Sequence, residues 1–220
     1  DELKTFNVIL ANPPYSIKAW DQKSFTNDPY GRNLWGVPPQ GCADYAFQQH
    51  IQKSLDADNG RSISLWPHGV LFRDKEADMR KKMIEEDLLE CVISLGPNLF
   101  YNSSMTSCLL ITNNNKKPNR KNKVLFIQAV NEVRSDKTMS YLNPEHITRI
   151  HNAYTNFKNE KTFTAVVDNE EILKDKNSRL SVQLFVKEDK IEEESFDIIL
   201  QDWEQGSKVL KKSIKELFKT

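Results

Sequence analysis

The chain is 220 residues long, which suits one domain with an appendage, and 38% hydrophobic residues are enough for a packed core. Its 31 basic residues balance 31 acidic ones, so any contact with nucleic acid must come from a local patch or a partner rather than from a global basic field. Three cysteines without a CxxC spacing and four histidines without a metal-ligand spacing argue against a disulfide scaffold or a metal site and fit a reducing compartment. No apolar stretch approaches the roughly 20 residues of a membrane span. The sequence therefore predicts a soluble, cytoplasmic protein with no membrane partner.

Apolar periodicity predicts alternating strands and helices over residues 1–130. In chain order these are strand Phe6–Ala11, helix Ala43–Leu55, strand Arg61–Trp66, helix Lys75–Glu86, and strands Leu88–Leu95, Thr106–Thr112 and Val124–Ala129. This alternation predicts an α/β fold with a doubly wound sheet. The last two strands, joined by a polar loop, are expected to form an antiparallel hairpin at the edge of that sheet.

From about residue 143 the pattern becomes helical. Asn143 and Pro144 suit the N-cap and the first helical position of a helix that runs to about Phe157. Two further helices are predicted over Asp168–Leu173 and Lys208–Phe218. We therefore expect residues 1–142 to form the main domain and residues 143–220 a mostly helical C-terminal region.

The first strand runs directly into Asn12-Pro13-Pro14-Tyr15. Ligands of doubly wound sheets bind just beyond the carboxyl ends of the strands, so this loop is the candidate site. The prolines make the loop stiff, and its carbonyl oxygens remain available as acceptors. Asn12 adds a side-chain acceptor and Tyr15 a flat ring. The alternative interpretation is a proline-rich strand exit with an exposed tyrosine.

Two acceptors beside a stacking ring suit a planar molecule that carries an NH2 group, such as adenine. If both N6 hydrogens are bound, the nitrogen lone pair is less delocalised into the ring and can attack an electrophilic methyl group. Such catalysis works through alignment and charge placement and requires no strong general base.

Several motifs in a fixed order resemble one family, the modification (M) subunits of type I restriction–modification systems, which are N6-adenine DNA methyltransferases. The motifs are NVILANPPYS (7–16), GCADYAFQQHIQKSL (41–55), GRSISLWPHGVLFR (60–73), MRKKMIEEDLLECVISLGPNLFYNSSMTSCLLI (79–111) and KVLFIQA (123–129). The resemblance covers roughly residues 5–187 and implies the second half of a Rossmann-like methyltransferase sheet. It also implies S-adenosylmethionine as cofactor, and DNA, a specificity (S) subunit and a restriction (R) subunit as partners.

The resemblance implies a role for each loop residue. Asn12 and the Pro13 carbonyl would hold adenine N6, and Tyr15 would stack on the base, which must be flipped out of the duplex first. Phe100 or Tyr101 would brace the base, although a packed aromatic pair is an equal alternative.

Three further residues carry open alternatives. His68 and Arg73 lie in the family-like turn after the strand 61–66 and are candidates for contact with substrate or cofactor. Asp44 is a candidate cofactor contact, and its alternative role is that of an acidic residue at a helix N-terminus.

The sequence departs from the family at one point. The Gly-rich motif and the acidic residue that bind the cofactor lie upstream of the Asn-Pro-Pro-Tyr loop in these enzymes, whereas only 11 residues precede Asn12 here and no G-x-G occurs. We therefore expect a fragment that neither binds S-adenosylmethionine tightly nor methylates DNA alone. Two alternatives remain open: an enzyme that methylates a protein glutamine or an RNA base, and a non-catalytic assembly module.

Overall fold

The computed structural model describes residues 2–100, 105–136, 139–187 and 196–217. The chain divides into two compact units, residues 1–187 and residues 188–220. Within the described ranges, no helix combines the length and the apolar character that a membrane crossing requires.

The first unit contains eight strands and five α-helices among its described residues. The strands are β1 (Val8–Ala11), β2 (Arg61–Pro67), β3 (Leu89–Leu95), β4 (Ser107–Asn113), β5 (Lys123–Ala129), β6 (Arg134–Asp136), β7 (Met139–Tyr141) and β8 (Thr164–Asp168). The helices are α1 (Gln22–Thr26), α2 (Asp44–Lys53), α3 (Ala77–Glu85), α4 (Pro144–Asn156) and α5 (Asn169–Leu173). Short 3-10 helices cover His68–Leu71, Asp74–Glu76, Pro118–Arg120 and Val182–Leu184.

Six strands form one mixed sheet in the order β1-β2-β4-β3-β5-β8. β1 and β2 are parallel, as are β3 and β5, whereas β4 runs antiparallel to both β2 and β3. The predicted strands and the mixed α/β class are confirmed. β6 and β7 form a separate two-stranded sheet.

The predicted edge hairpin is wrong. β4 and β5 do not pair with each other, because β3 lies between them in the sheet. β4 is buried along most of its length, which suits the interior of a sheet rather than its edge. The polar loop after β4 therefore passes the end of β3 on its way to β5. Lys116 holds this loop through a 2.6 Å contact between its Nζ and Oδ1 of Asp87, which lies just before β3.

Two apolar clusters cover the two faces of the sheet. On one face, α2 and α3 pack with residues such as Tyr45, Met83 and Trp66. On the other face, α4 packs through Ala153 and Phe157. This second cluster does not cover β1, because the side chains of Val8 and Leu10 are 52% and 75% exposed.

The division of the chain lies elsewhere than predicted. Residues 143–187 belong to the first unit, because β8 pairs antiparallel with β5 and extends the main sheet. The predicted helix start is confirmed, with Asn143 as N-cap and Pro144 at the first turn of α4. The five residues of β8, TAVVD, do not alternate in burial, so their pattern does not distinguish a strand from the helical segments around it.

The second unit consists, in its described part, of helix α6 (Phe196–Leu217). It begins 12 residues before the predicted helix Lys208–Phe218. It carries exposed apolar side chains at Leu200, Trp203, Val209, Leu210 and Ile214.

Candidate functional site

Asn12–Tyr15 leaves the carboxyl end of β1, as the sequence predicts. β1 lies at one edge of the sheet and pairs with β2 in parallel, with Leu10 opposite Ile63. Ile9 and Ala11 pack against the apolar cluster beneath, which fixes the strand. The side chain of Asn12 is exposed at the end of this anchored strand.

The two candidate side chains of the loop, Asn12 and Tyr15, contact each other. Tyr15 donates a hydrogen bond from its hydroxyl to Asn12 Oδ1 over 2.7 Å. The Tyr15 ring is half-buried and packs against the larger apolar cluster. Burial raises the pKa of Tyr15, with smaller contributions from Cys108 and Asp44, so the hydroxyl stays protonated and able to donate.

The residue after the loop is tied to α2. Ser16 has a left-handed backbone conformation, with φ of 49°, and its N–H donates to Asp44 Oδ1 over 2.6 Å. Arg73 binds the other oxygen, with Nη1 and Nη2 at 2.9 and 2.7 Å from Asp44 Oδ2. The structure thus brings together the loop, Asp44 and Arg73, which the sequence treats as separate candidates.

Cys42 and Glu76 complete this cluster. The Arg73 guanidinium contacts the Cys42 thiol, and its Nη1 lies 3.2 Å from Glu76 Oε1. Burial raises the pKa of Glu76, although Arg73 opposes the shift. Burial, followed by the charges of Glu76 and Asp44, raises the pKa of Cys42 to about 12, so it is a neutral thiol at physiological pH.

The donor atoms of Cys42, Asp44 and Glu76 lie within 4.8 Å of one another, a spacing that a metal ion would fit. Arg73 contacts all three residues and supplies positive charge at the centre of the group. The cluster is therefore a guanidinium that contacts two carboxyl groups and a thiol.

A cavity of about 370 Å³ adjoins the loop. Its lining is formed by Phe6, Ile9, Ala11, Asn12, Pro13, Pro14, Phe47, His50, Ile51 and Ser54. His50 and Phe47 also line a neighbouring cavity of about 440 Å³. Burial lowers the pKa of His50, so this side chain contributes a neutral imidazole to the lining of both cavities.

Among the described residues, His68 and Phe100 form no hydrogen bond or ion pair with this cluster. His68 Nε2 is 3.5 Å from Ser94 Oγ, and burial lowers the pKa of the imidazole. Phe100 is half-buried five residues beyond the end of β3. Tyr101 lies outside the described residues.

Ser16, Cys42 and Glu76 were not predicted. Ser16 contacts Asp44, which lies 28 residues later in the sequence. Cys42 and Glu76 contact Arg73, at separations of 31 and three residues. Ser16 and Cys42 lie in two of the family-like motifs, 7–16 and 41–55, but nothing in these motifs indicates that they meet Asp44 and Arg73.

Comparison with known proteins identifies the relatives of this chain. The family model for the N-6 DNA methylases matches residues 1–194. The chain is 36% identical over 184 residues to the MjaVIII type I restriction enzyme methylase subunit of Methanocaldococcus jannaschii, covering 81% of this chain and 31% of the relative. It is 31% identical over 215 residues to the MpnII methylase subunit of Mycoplasma pneumoniae, covering 96% of this chain and 37% of the relative.

A solved structure shares the fold. The type I restriction–modification system methyltransferase subunit from Streptococcus thermophilus superposes with a TM-score of 0.76 at 33% identity, covering 85% of this chain and 39% of that one. This likeness confirms the predicted α/β methyltransferase sheet. The chain spans about a third of the length of the curated relatives it matches. It belongs to the N-6 DNA methylase family.

Proposed function

We propose that this chain supplies the adenine-binding loop of an N6-adenine DNA methyltransferase. In the same proposal, the whole protein acts as the modification subunit of a type I restriction–modification system, with DNA, a specificity subunit and a restriction subunit as partners. One observation carries the proposal: Asn12–Tyr15 stands at the carboxyl end of β1, with the Asn12 side chain exposed.

The loop is suited to an amino group. Asn12 Oδ1 has two lone pairs and uses one for the Tyr15 hydroxyl, so the second remains available for an N–H of the substrate. The Pro13 carbonyl offers another acceptor. Hydrogen bonds to both N6 hydrogens favour a nitrogen whose lone pair is less delocalised into the purine, and this raises its nucleophilicity. The exposed part of the Tyr15 ring provides a stacking surface for the flipped base.

We propose that the cavity beside the loop does not by itself hold S-adenosylmethionine. The cavity beside the loop has no carboxylate in its lining that could receive the ribose hydroxyls. Asp44, the predicted cofactor contact, has a side chain that is 1% exposed, and its oxygens already accept hydrogen bonds from Ser16 and Arg73. We therefore assign to this chain the side of the site that holds the methyl acceptor, and to other parts of the longer protein the binding of the methyl donor.

A glutamine amide or an RNA base would fit the same two acceptors. The relatives named as type I restriction enzyme methylase subunits favour DNA. A purely structural role is disfavoured by an exposed asparagine beside two prolines, a combination that contributes little to packing.

The test is a transfer assay with the full-length gene product, co-expressed with the subunits encoded beside it. Tritiated S-adenosylmethionine is offered with genomic DNA, total RNA or cell protein from a host that lacks the system. We expect label in DNA alone, recovered as N6-methyladenine after digestion, and no label with Asn12→Ala. Label in RNA or protein would replace the proposal with the corresponding alternative, and no label with the wild type would favour an assembly module.

A further inference from the structure

Asp44 joins two loops that leave neighbouring parallel strands. Its Oδ1 accepts from the Ser16 N–H at the end of the β1 loop, and its Oδ2 binds Arg73 in the turn after β2. The side chain is 1% exposed and opens α2. A residue with this placement fixes the position of one loop against the other.

The contact with Ser16 fixes the exit of the loop. A left-handed conformation costs a residue other than glycine about 1–2 kcal/mol, and Ser16 adopts it directly after Tyr15. A charge-assisted hydrogen bond of 2.6 Å offsets that cost. Since Pro13 and Pro14 stiffen the preceding segment, holding Ser16 also holds the backbone between Asn12 and Tyr15.

Arg73 in turn holds Asp44. A buried carboxylate is stable only when it is paired, and two guanidinium nitrogens within 2.9 Å provide that pairing. Gly69 makes room for the guanidinium: a Cβ at position 69 would lie 2.5 Å from Arg73 Nε. The glycine, the arginine and the aspartate thus form one chain of contacts that ends at Ser16.

We propose that Asp44 and Arg73 are positioning residues, which act through Ser16 to hold the Asn12 amide in its reactive place. This inference rests on the proposed function. In this arrangement neither Asp44 nor Arg73 contacts the cofactor or the substrate, whereas the sequence suggests both as candidates for such a contact. A misplacement of about 1 Å can cost about 100-fold in rate, so loss of the pair should lower kcat and leave binding of both substrates almost unchanged.

The kinetic test uses the full-length protein with its partner subunits. Asp44→Asn keeps an acceptor for Ser16 and removes the charge that Arg73 binds, whereas Gly69→Ala displaces the guanidinium and changes neither member of the pair. We expect kcat to fall about 10- to 100-fold in both, with KM for S-adenosylmethionine and for DNA within about threefold. Asp175→Asn is the matched control, since it breaks an exposed pair with Arg179 and should leave kcat unchanged.

A different pattern would overturn the inference. A raised KM for S-adenosylmethionine with an unchanged kcat in Asp44→Asn would make Asp44 a cofactor contact. Wild-type kcat in both variants would show that the contacts have no part in the reaction. If Asp44→Asn fails to fold, as judged by circular dichroism, Gly69→Ala alone decides between these outcomes.

Hydrogen exchange gives a reading that does not depend on activity. In a peptide that spans Asn12–Ser16, the two prolines have no amide hydrogen, so only Asn12, Tyr15 and Ser16 report. We expect the wild type to protect one slow amide, that of Ser16. Both variants should protect this amide less, because Arg73 no longer holds the acceptor at position 44 in place. An equally protected amide in Asp44→Asn and Gly69→Ala would contradict the anchoring. If the wild type shows protection and no transfer to DNA, the proposed function fails and the anchoring stands.

Discussion

Tyr15 and Asn12 are hydrogen-bonded to each other within the same loop, over 2.7 Å from the tyrosine hydroxyl to the amide oxygen. The two ends of an asparagine amide have almost the same shape, and they differ in whether they donate or accept. A hydroxyl that donates to one end selects the orientation in which that end is oxygen. Tyr15 therefore presents Asn12 as an acceptor, in addition to the stacking that we propose for its ring.

We expect Tyr15→Phe and Tyr15→Ala to differ in degree. The phenylalanine keeps the ring and loses one neutral hydrogen bond, so kcat should fall about 2- to 10-fold, in line with about 0.5–1.5 kcal/mol. The alanine also loses the stacking surface, which should weaken capture of the flipped base by a further 1–3 kcal/mol or so. Fluorescence of 2-aminopurine at the target position measures the capture. Equal fluorescence in the two variants would remove the stacking role.

Asn12→Ala should lower kcat by about 10²–10³, the effect of removing one group aimed at the reacting atom. Affinity for DNA should change little, because Asn12 is predicted to contact a base rather than a phosphate. Gel-shift titration and single-turnover methylation separate the two quantities. Asn119→Ala removes an exposed asparagine of the loop before β5 and serves as control. A variant at position 12 that turns over like the wild type would refute the role of its amide.

The strands and the exit loop could be predicted from the sequence because they depend on local pattern. The apolar run Val8–Ala11 followed by two prolines predicts a strand end and a stiff loop. The position of β4 between β2 and β3 could not be predicted, because alternation within a strand does not say which strand it pairs with. The contact between Asp44 and Arg73 could not be predicted for a similar reason: the two residues are 29 positions apart, and only the packing of α2 beside the end of β2 brings them together.

Arg80→Met should destabilise the chain. The side chain of Arg80 is fully buried and donates to the carbonyl oxygens of Val70, Asn177 and Ser178. Loss of these charged hydrogen bonds should lower the free energy of unfolding by about 2–3 kcal/mol.

Urea denaturation followed by circular dichroism measures this change. Lys81→Met, the adjacent exposed position on α3, should remain within about 0.5 kcal/mol of the wild type. A similar effect of both substitutions would mean that the three carbonyl contacts contribute little.

Glu76→Gln should change how stability depends on pH. Burial raises the pKa of Glu76 above its ordinary value, so the unfolded chain loses this proton at a lower pH than the folded one. Stability is therefore greatest below the ordinary pKa, and this contribution is lost as pH rises through the folded pKa.

Glutamine has no such proton. We expect the stability of Glu76→Gln relative to the wild type to rise between pH 4 and pH 8, measured by urea denaturation at each pH. A constant difference across that range would contradict the shift.

Cys42 should react slowly with thiol reagents although it is only half-buried. Its pKa of about 12 leaves almost no thiolate at pH 8, and the thiolate is the reactive form. Cys91 and Cys108 are buried and should also be slow in the folded chain. Titration with a colourimetric disulfide should show no fast thiol at pH 8, and three after unfolding in urea. One equivalent of rapid reaction in the folded chain would be inconsistent with the pKa of Cys42.

The place of β4 in the sheet has a consequence for the order in which the protein is made. β1 and β2 can pair as soon as residue 67 has left the ribosome, but the other side of β2 is completed by β4, at residues 107–113. At about 5–20 residues per second, several seconds separate the two events. During that interval the strand pair that carries Asn12 has one open side. In this mixed sheet, the strand pair that carries the Asn12–Tyr15 loop is therefore completed only by a segment translated more than 90 residues after the loop.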